Sequence, residues 1–481
     1  MGVSVREVAQ IVPSPRQLAW QELEFYAFIH FTVNTFTDME WGLGDESPSL
    51  FDPSELDAAQ WVAACREAGM KGLILTCKHH DGFCLWPSAY TEHSVKSSPW
   101  RGGQGDLVRE VADACREAGL KFGVYLSPWD RHEASYGDSP AYNAFFLNQL
   151  RELLTGYGEL FCVWFDGACG EGANGKRQVY DWDAYYGLIR ELQPNAVISV
   201  CGPDVRWCGN EAGHTRTSEW SVVPATMRDN EKIQENSQQV DDGEFAKRIS
   251  SEDEDLGSRA VLAGASEAVW YPAETNTSIR PGWFYHAAED DRVKTADELM
   301  ELYERTVGGN STFLLNLPPD RRGLIHENDV ARMKELGERI RRTYGASADL
   351  AAGASVQGSV GKDAAHGAER LTDGDRSTFW QAPEGTEQAE FVIELGSERA
   401  FDRVVLAENI REGQRIERFR LEVSSGDGEW RPLYEGTVVG YKKICRFAET
   451  TASRLRLTID ESRWSPTLTS VGVYRSEAVE G

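Results

Sequence analysis

Apolar runs that do not alternate with polar residues dominate the first two thirds of the chain. "AFIHFTVN" (Ala27–Asn34), "LFCVWFDG" (Leu160–Gly167), "AVISVCG" (Ala196–Gly202), "AVWYPAE" (Ala268–Glu274) and "STFLLNL" (Ser311–Leu317) are each too short for a helix and read as fully buried strands. Two more lie inside a near repeat, "ACREAGMKGLILTCKHHDG" from Ala64 and "ACREAGLKFGVYLSPWD" from Ala114. Each copy is a helix end, a glycine suited to a left-handed cap (Gly69, Gly119), then a buried run ending in polar residues. Asp57 and Asp106 stand where the N-caps of the two helices are expected. "NAFFLNQLRELLTGYG" and "DWDAYYGLIRELQ" carry helical spacing between later strands. Apolar strands alternating with helices predict a parallel sheet covered on both faces. Seven or so such units favour an α/β fold of the (β/α)8 barrel type, regular or irregular, over an open doubly wound sheet. No Gly-rich phosphate fingerprint follows the first strand, which weakens the dinucleotide-binding alternative.

The pattern changes after the helical stretch "HENDVARMKELGERIRRTYG" (His326–Gly345). Small residues follow, then short alternating strands such as "AEFVIEL", "RFRLEVSS" and "RLRLTID", separated by Gly and Asp turns. The expected organisation is a barrel over residues 1–346 and a β-sandwich over 347–481. The acidic segment Asp241–Ala260 has no long hydrophobic period and reads as a solvated insertion or as a lid at the barrel mouth.

Charge narrows the partners. With 50 Lys+Arg against 77 Asp+Glu the formal net charge is −27, which repels nucleic-acid phosphates and anionic membranes. No segment reaches about 18 uninterrupted apolar residues, and the N-terminus lacks a basic region followed by an apolar run. As it stands the chain reads as soluble and cytoplasmic; removal of a leader from a precursor would make it secreted. The nine cysteines fall mostly inside apolar patterns, as reduced structural thiols do. Cys77, His79, His80 and Cys84 invite a zinc reading, but their spacing matches no finger pattern.

In such a barrel the active site forms at the C-terminal strand ends, so the residues that end each apolar run become the candidates. They are His30; Glu40 and Trp41 in the following loop; His79, His80 and Asp81; Trp129 and Asp130; and Trp164 and Asp166. The loop "RWCGNEAGHTRTSEW" adds Glu211 and Glu219, and "SIRPGWFYH" adds Arg280 and Trp283. Carboxylates, histidines and tryptophans on one rim, without a cofactor motif, suit a sugar: indole packs on the apolar pyranose face while polar groups bond the hydroxyls. Glycosidases pair one ionised carboxylate with one held protonated. Pattern alone leaves Asp166 open, as a turn cap before Gly167 or as a nucleophile. His79 and His80 are adjacent, so a regular strand would turn only one of them inward.

The segments "FIHFTVNTF", "EWG", "CKHHDGF", "YLSPWDR", "VWFDGACGEG", "GNEAG", "SIRPGWFYH" and "NSTFLLNLPPDRRGLI" together resemble the α-L-fucosidases of glycoside hydrolase family 29. "WFDGACGEG", "GNEAG" and "SIRPGWFYH" look like the subgroup that prefers α-1,3/1,4-linked fucose on Lewis-type glycans. The resemblance implies a retaining exo-fucosidase acting on fucosylated oligosaccharides or glycans, with no cofactor or catalytic metal. Asp166 matches the nucleophile and Glu211 the acid/base, with Glu219 as its rival on the same stretch of chain. His30, Glu40, Trp41, His79, His80 and Trp283 match positions around the fucose, with Trp129 and Trp164 as further candidates. "AERLTDGDRSTFWQAPEG" resembles a discoidin-type β-sandwich, the fold of carbohydrate-binding module family 32. There Asp373 and Asp375 fit either a structural Ca²⁺ loop or a plain Asp-Gly turn, and the domain either grips glycans or buttresses the barrel.

Overall fold

A computed structural model describes residues 2–241, 255–425 and 428–476. Ten strands precede residue 317: β1 (Phe25–Ile29), β2 (Gly72–Lys78), β3 (Lys121–Leu126), β4 (Cys162–Phe165), β5 (Val197–Val200), β6 (Arg206–Trp207), β7 (Val222–Pro224), β8 (Ala268–Trp270), β9 (Ala273–Ser278) and β10 (Ser311–Asn316). Eight of them form one sheet in the order β5-β4-β3-β2-β1-β10-β9-β6. Every pairing in it is parallel. A single parallel bridge, Ser199 to Val205, joins the two edges, so the barrel closes through one seam between β5 and β6.

The local chemistry explains the repeated helix-to-strand unit. Asp57 accepts the N–H groups of Ala59 and Gln60 to start the helix Ala58–Glu67. Asp106 accepts from Arg109 to start Leu107–Ala118, which Gly119 ends at φ 74°. Leu107, Val108, Val111 and Cys115 form the buried stripe of the second helix, and β2 behind it is buried along its whole length. The first large core runs from Phe25 to Leu336; a second begins at Ala351 and extends to Val473.

The barrel departs from the expected strands in two places; one is β6, whose Arg206 and Trp207 open the stretch read as a loop. "AVWYPAE" is split: β8 pairs antiparallel with β7 in a separate two-stranded sheet, and the barrel strand is β9, whose sequence is Ala-Glu-Thr-Asn-Thr-Ser. All six β9 residues are buried, and the side chains of Glu274, Thr275, Asn276 and Ser278 find protein partners. Glu274 accepts from Trp164 Nε1 at 2.8 Å and from the Tyr26 hydroxyl; Thr275 bonds Ser311 at 2.8 Å; Asn276 accepts from Trp207 at 3.2 Å. Burial raises the Glu274 carboxyl to about 7.

The C-terminal region is an antiparallel six-stranded sheet led by the long strands Ala389–Ala407 and Lys443–Ser462, with the small pair Trp380–Gln381 and Thr467–Leu468 alongside. It packs on the strand-start end of the barrel. Glu24, just before β1, pairs with Lys442 at 2.7 Å and Arg376 at 3.4 Å, and Asn310, just before β10, bonds the backbone of Tyr441. Glu304 pairs with Arg403 at 2.9 Å and Arg446 at 3.0 Å. Asp373 and Asp375 act as acceptors within their own turn, from Asp375 N–H and Thr378 in one case and from Ser377 in the other. Among the described residues no helix is long and apolar enough to cross a membrane. The expected insertion or lid over 241–260 lies largely outside the described residues.

Candidate active site

The C-terminal strand ends open into a pocket with about 600 Å³ of empty space. It is lined by His30, Glu40, Trp41, His79, His80, Trp164, Asp166, Glu211 and Trp283, nine of the ten side chains expected at the site. Trp129 stands behind this wall: its ring packs on His80 at 5.1 Å and edge-on to Trp41 at 5.3 Å, so it supports the lining without forming it. His79 and His80 both reach the pocket because β2 ends at Lys78, and beyond it the strict alternation of a strand no longer applies.

Asp166 closes the turn after β4 and also faces the pocket. Oδ1 accepts the Ala168 N–H at 2.9 Å and fixes the turn after β4, while Oδ2 accepts the Tyr125 hydroxyl at 2.8 Å and lies 3.8 Å from His80 Nε2. The tautomer of His80 follows from its neighbours. Ser127 Oγ gives its hydrogen to the Trp129 carbonyl at 2.6 Å, so it accepts from His80 Nδ1 at 2.7 Å, and Nε2 is left as the acceptor. Burial pushes His80 down to about 4, His30 to about 3 and His79 well below its ordinary value, so all three rings are neutral. His30 Nδ1 bonds Asn316 Oδ1 at 2.8 Å.

Glu211 has the opposite environment. It rides on a tight turn between Gly209 (φ 99°) and Gly213 (φ 76°), stapled by the Asn210 side chain, which accepts from Ala212 and His214 N–H and donates to the His214 carbonyl. Its Oε2 accepts from Trp283 Nε1 at 2.9 Å. Burial, reinforced by the charges of Asp166 and Glu40, raises this carboxyl to about 8. Glu219 is elsewhere: fully buried, it pairs with Arg206 at 2.7 Å and Arg216 at 3.6 Å and does not line the pocket. Glu40 fixes the Trp283 loop by accepting the N–H groups of Trp283 (2.8 Å) and Phe284 (3.2 Å) and facing His286. That bond holds His286 up at about 9.

Among the described residues one group of possible metal ligands forms, His79, His80 and Asp166, with donor atoms within 4.8 Å of one another. Cys77 and Cys84 take no part in it; their thiols face the carbonyls of Leu75 and Gly82, and burial pushes both well up. Among the described residues Cys77, His79, His80 and Cys84 thus do not gather as one ligand set. Arg280 is also off the site, fully buried against Asp329 at 2.8 Å.

Among the lining residues that escaped the sequence reading are Phe28, Tyr125, Trp207 and Asn276. Tyr125 lies one residue inside the end of β3, and Asn276 sits in the polar strand that no apolar run marks. Spacing two residues back from each strand end would have found Phe28.

A family model described as alpha-L-fucosidase matches residues 15–343, and one described as F5/8 type C domain matches 351–471. The chain is 42% identical over 469 residues to alpha-L-fucosidase 1 of Arabidopsis thaliana, covering 96% of this chain and 87% of that one. A Ruminococcus gnavus family 29 fucosidase solved in complex with fucose superposes with a TM-score of 0.84 at 32% identity, over 97% of this chain and 95% of that one. A glycoside hydrolase family 29 member from an unknown rumen bacterium gives 0.80 at 42% identity, over 98% and 78%. Two carboxyl groups in an aromatic-lined pocket and these likenesses agree, and the chain belongs to glycoside hydrolase family 29, the α-L-fucosidases, with a C-terminal discoidin-type domain.

Proposed function

We propose that the protein is a retaining exo-α-L-fucosidase that removes terminal α-1,3/1,4-linked fucose from Lewis-type oligosaccharides or glycoconjugates. The observation that carries the mechanism is the contrast between two carboxyl groups in one pocket. Asp166 accepts a hydrogen bond at each oxygen, from Tyr125 and from the Ala168 N–H, while Glu211 is raised to about 8 and holds its proton at neutral pH. In this reading Asp166 attacks the anomeric carbon as Glu211 protonates the departing oxygen. The fucosyl ester is then opened by water that Glu211, now ionised, deprotonates. The neutral rings of His30, His79 and His80 can each accept one sugar hydroxyl hydrogen and donate from the other nitrogen without adding charge. Fucose bound to the Ruminococcus gnavus relative supports the choice of sugar, and the forms "WFDGACGEG", "GNEAG" and "SIRPGWFYH" support the linkage.

Two measurements test this. Proton NMR of the first fucose released should show the α anomer before mutarotation; the β anomer first would refute retention. Parallel assays of a Lewis a or Lewis x trisaccharide and 2'-fucosyllactose should favour the Lewis substrates, and equal cleavage would defeat the linkage assignment.

A further inference from the structure

A second cavity, with about 1290 Å³ of empty space, lies on the other side of Trp207, which lines both. Adjacent strand residues point to opposite faces, and Arg206, the neighbour of Trp207 on β6, lines the second cavity. Among the described residues Arg206, Arg216, Lys232 and Glu235 are the charged groups that line it; Arg206 and Arg216 also share Glu219 behind the wall, and Lys232 is exposed. Arg206 is the informative one. Its side chain is 3% exposed; Nε donates to the Tyr271 carbonyl at 3.2 Å, and Nη2 donates to Glu219 at 2.7 Å and to the Trp220 carbonyl at 2.9 Å. Nη1 has no partner. A buried guanidinium nitrogen without an acceptor is costly unless a ligand supplies one.

The position of the cavity indicates what that ligand is attached to. If Glu211 protonates the leaving oxygen, the leaving sugar lies beside Glu211, and Gly209 of the same turn lines the second cavity. We propose that this cavity is a subsite for an anionic substituent, a carboxylate or a sulfate ester, on the leaving-group portion of the substrate. The inference rests on the fucosidase reading above and adds to it a preference for acidic over neutral fucosylated glycans. Guanidinium binds either anion through paired N–H groups, so the two sources must be told apart by experiment.

The test compares kcat/KM of the intact protein on three oligosaccharides with the same fucosylated core: one neutral, one bearing a carboxylated terminal sugar, one bearing a sulfate ester. At least one acidic form should be preferred by about ten-fold or more, as a charge-assisted hydrogen bond implies. The preference should shrink in added salt and identify the anion by which form gains. It should fall toward parity in Arg206→Lys and in Lys232→Gln; Lys232 is exposed on a short helix, so the second variant stays informative if the first fails to fold. Rates within two-fold of one another for all three substrates overturn the subsite alone. So does a preference that survives in both folded variants. No release from any of the three overturns the linkage reading and the subsite with it.

Discussion

Replacing Trp283 by phenylalanine should move the alkaline limb of the pH profile to higher pH. Glu211, at about 8, is about nine-tenths protonated at pH 7 and about one-tenth at pH 9, so acid-assisted turnover should fall about ten-fold per unit above 8. The Trp283 Nε1–H donates to this carboxyl at 2.9 Å and favours its ionised form. Removing the donor disfavours the charge, so the group must rise. A hydrogen bond to a charged acceptor is worth about 1.5 kcal/mol at the low end of its range, which suits a partly exposed site and amounts to about one pH unit. The limb should therefore shift from about 8 to about 9. Trp283 also walls the pocket, so the height of the profile will drop; its position is the readout. The assay is kcat/KM for an α-fucosylated oligosaccharide between about pH 5 and 10. 4-Nitrophenyl α-L-fucoside, whose leaving group departs without a proton, should show a flattened limb. An unmoved limb in Trp283→Phe, or a limb that survives in Glu211→Gln, would refute the reasoning.

Four shorter expectations accompany it. Asp166→Gly should lose activity by several orders of magnitude and be partly rescued by azide, giving β-fucosyl azide by NMR; near-normal turnover would remove Asp166 as nucleophile. Glu219→Gln should lower Tm by several degrees, because two buried guanidinium groups lose their carboxylate, while the alkaline limb stays in place; the reverse pattern would make Glu219 the acid. Burial alone would raise Glu24, but Lys442, Lys71 and Arg376 outweigh it and hold the carboxyl at about 2. Its stabilisation is thus present above about 4.5 and lost as pH falls toward 2, so Tm should fall more steeply over that window in the wild type than in Glu24→Gln, with parallel curves counting against it. Finally, chelation by EDTA should leave the hydrolysis rate unchanged, since the carboxyl pair needs no Lewis acid; a loss restored by a divalent ion would reassign His79, His80 and Asp166.

Much of this arrangement was legible because parallel strands leave a one-dimensional trace: apolar run, polar end, helix. That trace located Asp166, His79, His80 and His30, and the caps Asp57 and Asp106. It failed where burial is achieved by pairing. β9 is polar in sequence and buried in space because Tyr26, Trp164, Trp207 and Ser311 complete its hydrogen bonds, partners up to about 250 residues distant. Tyr125 was hidden for a related reason: a tyrosine inside an apolar run reads as core until its hydroxyl is seen to reach Asp166. The contrast between Glu211 and Glu219 lay beyond any local pattern, since it is tertiary partners that seat the first in the pocket against Trp283 and bury the second against Arg206 and Arg216.

The seam between β5 and β6 has a consequence for how such enzymes diversify. β4, which ends just before Asp166, is held by ladders on both sides, whereas β6 is two residues long and the far side of its seam is one bridge. The turn bearing Glu211 takes its position from side chains, the Asn210 staple and the Trp283 contact, rather than from a continuous sheet. Insertions and deletions there cost the barrel little, while at the end of β4 they would disturb two strand registers at once. The turn that carries Glu211 can thus change its length and place while the strand end beside Asp166 stays fixed: one rim of the pocket is free to drift against another that is clamped.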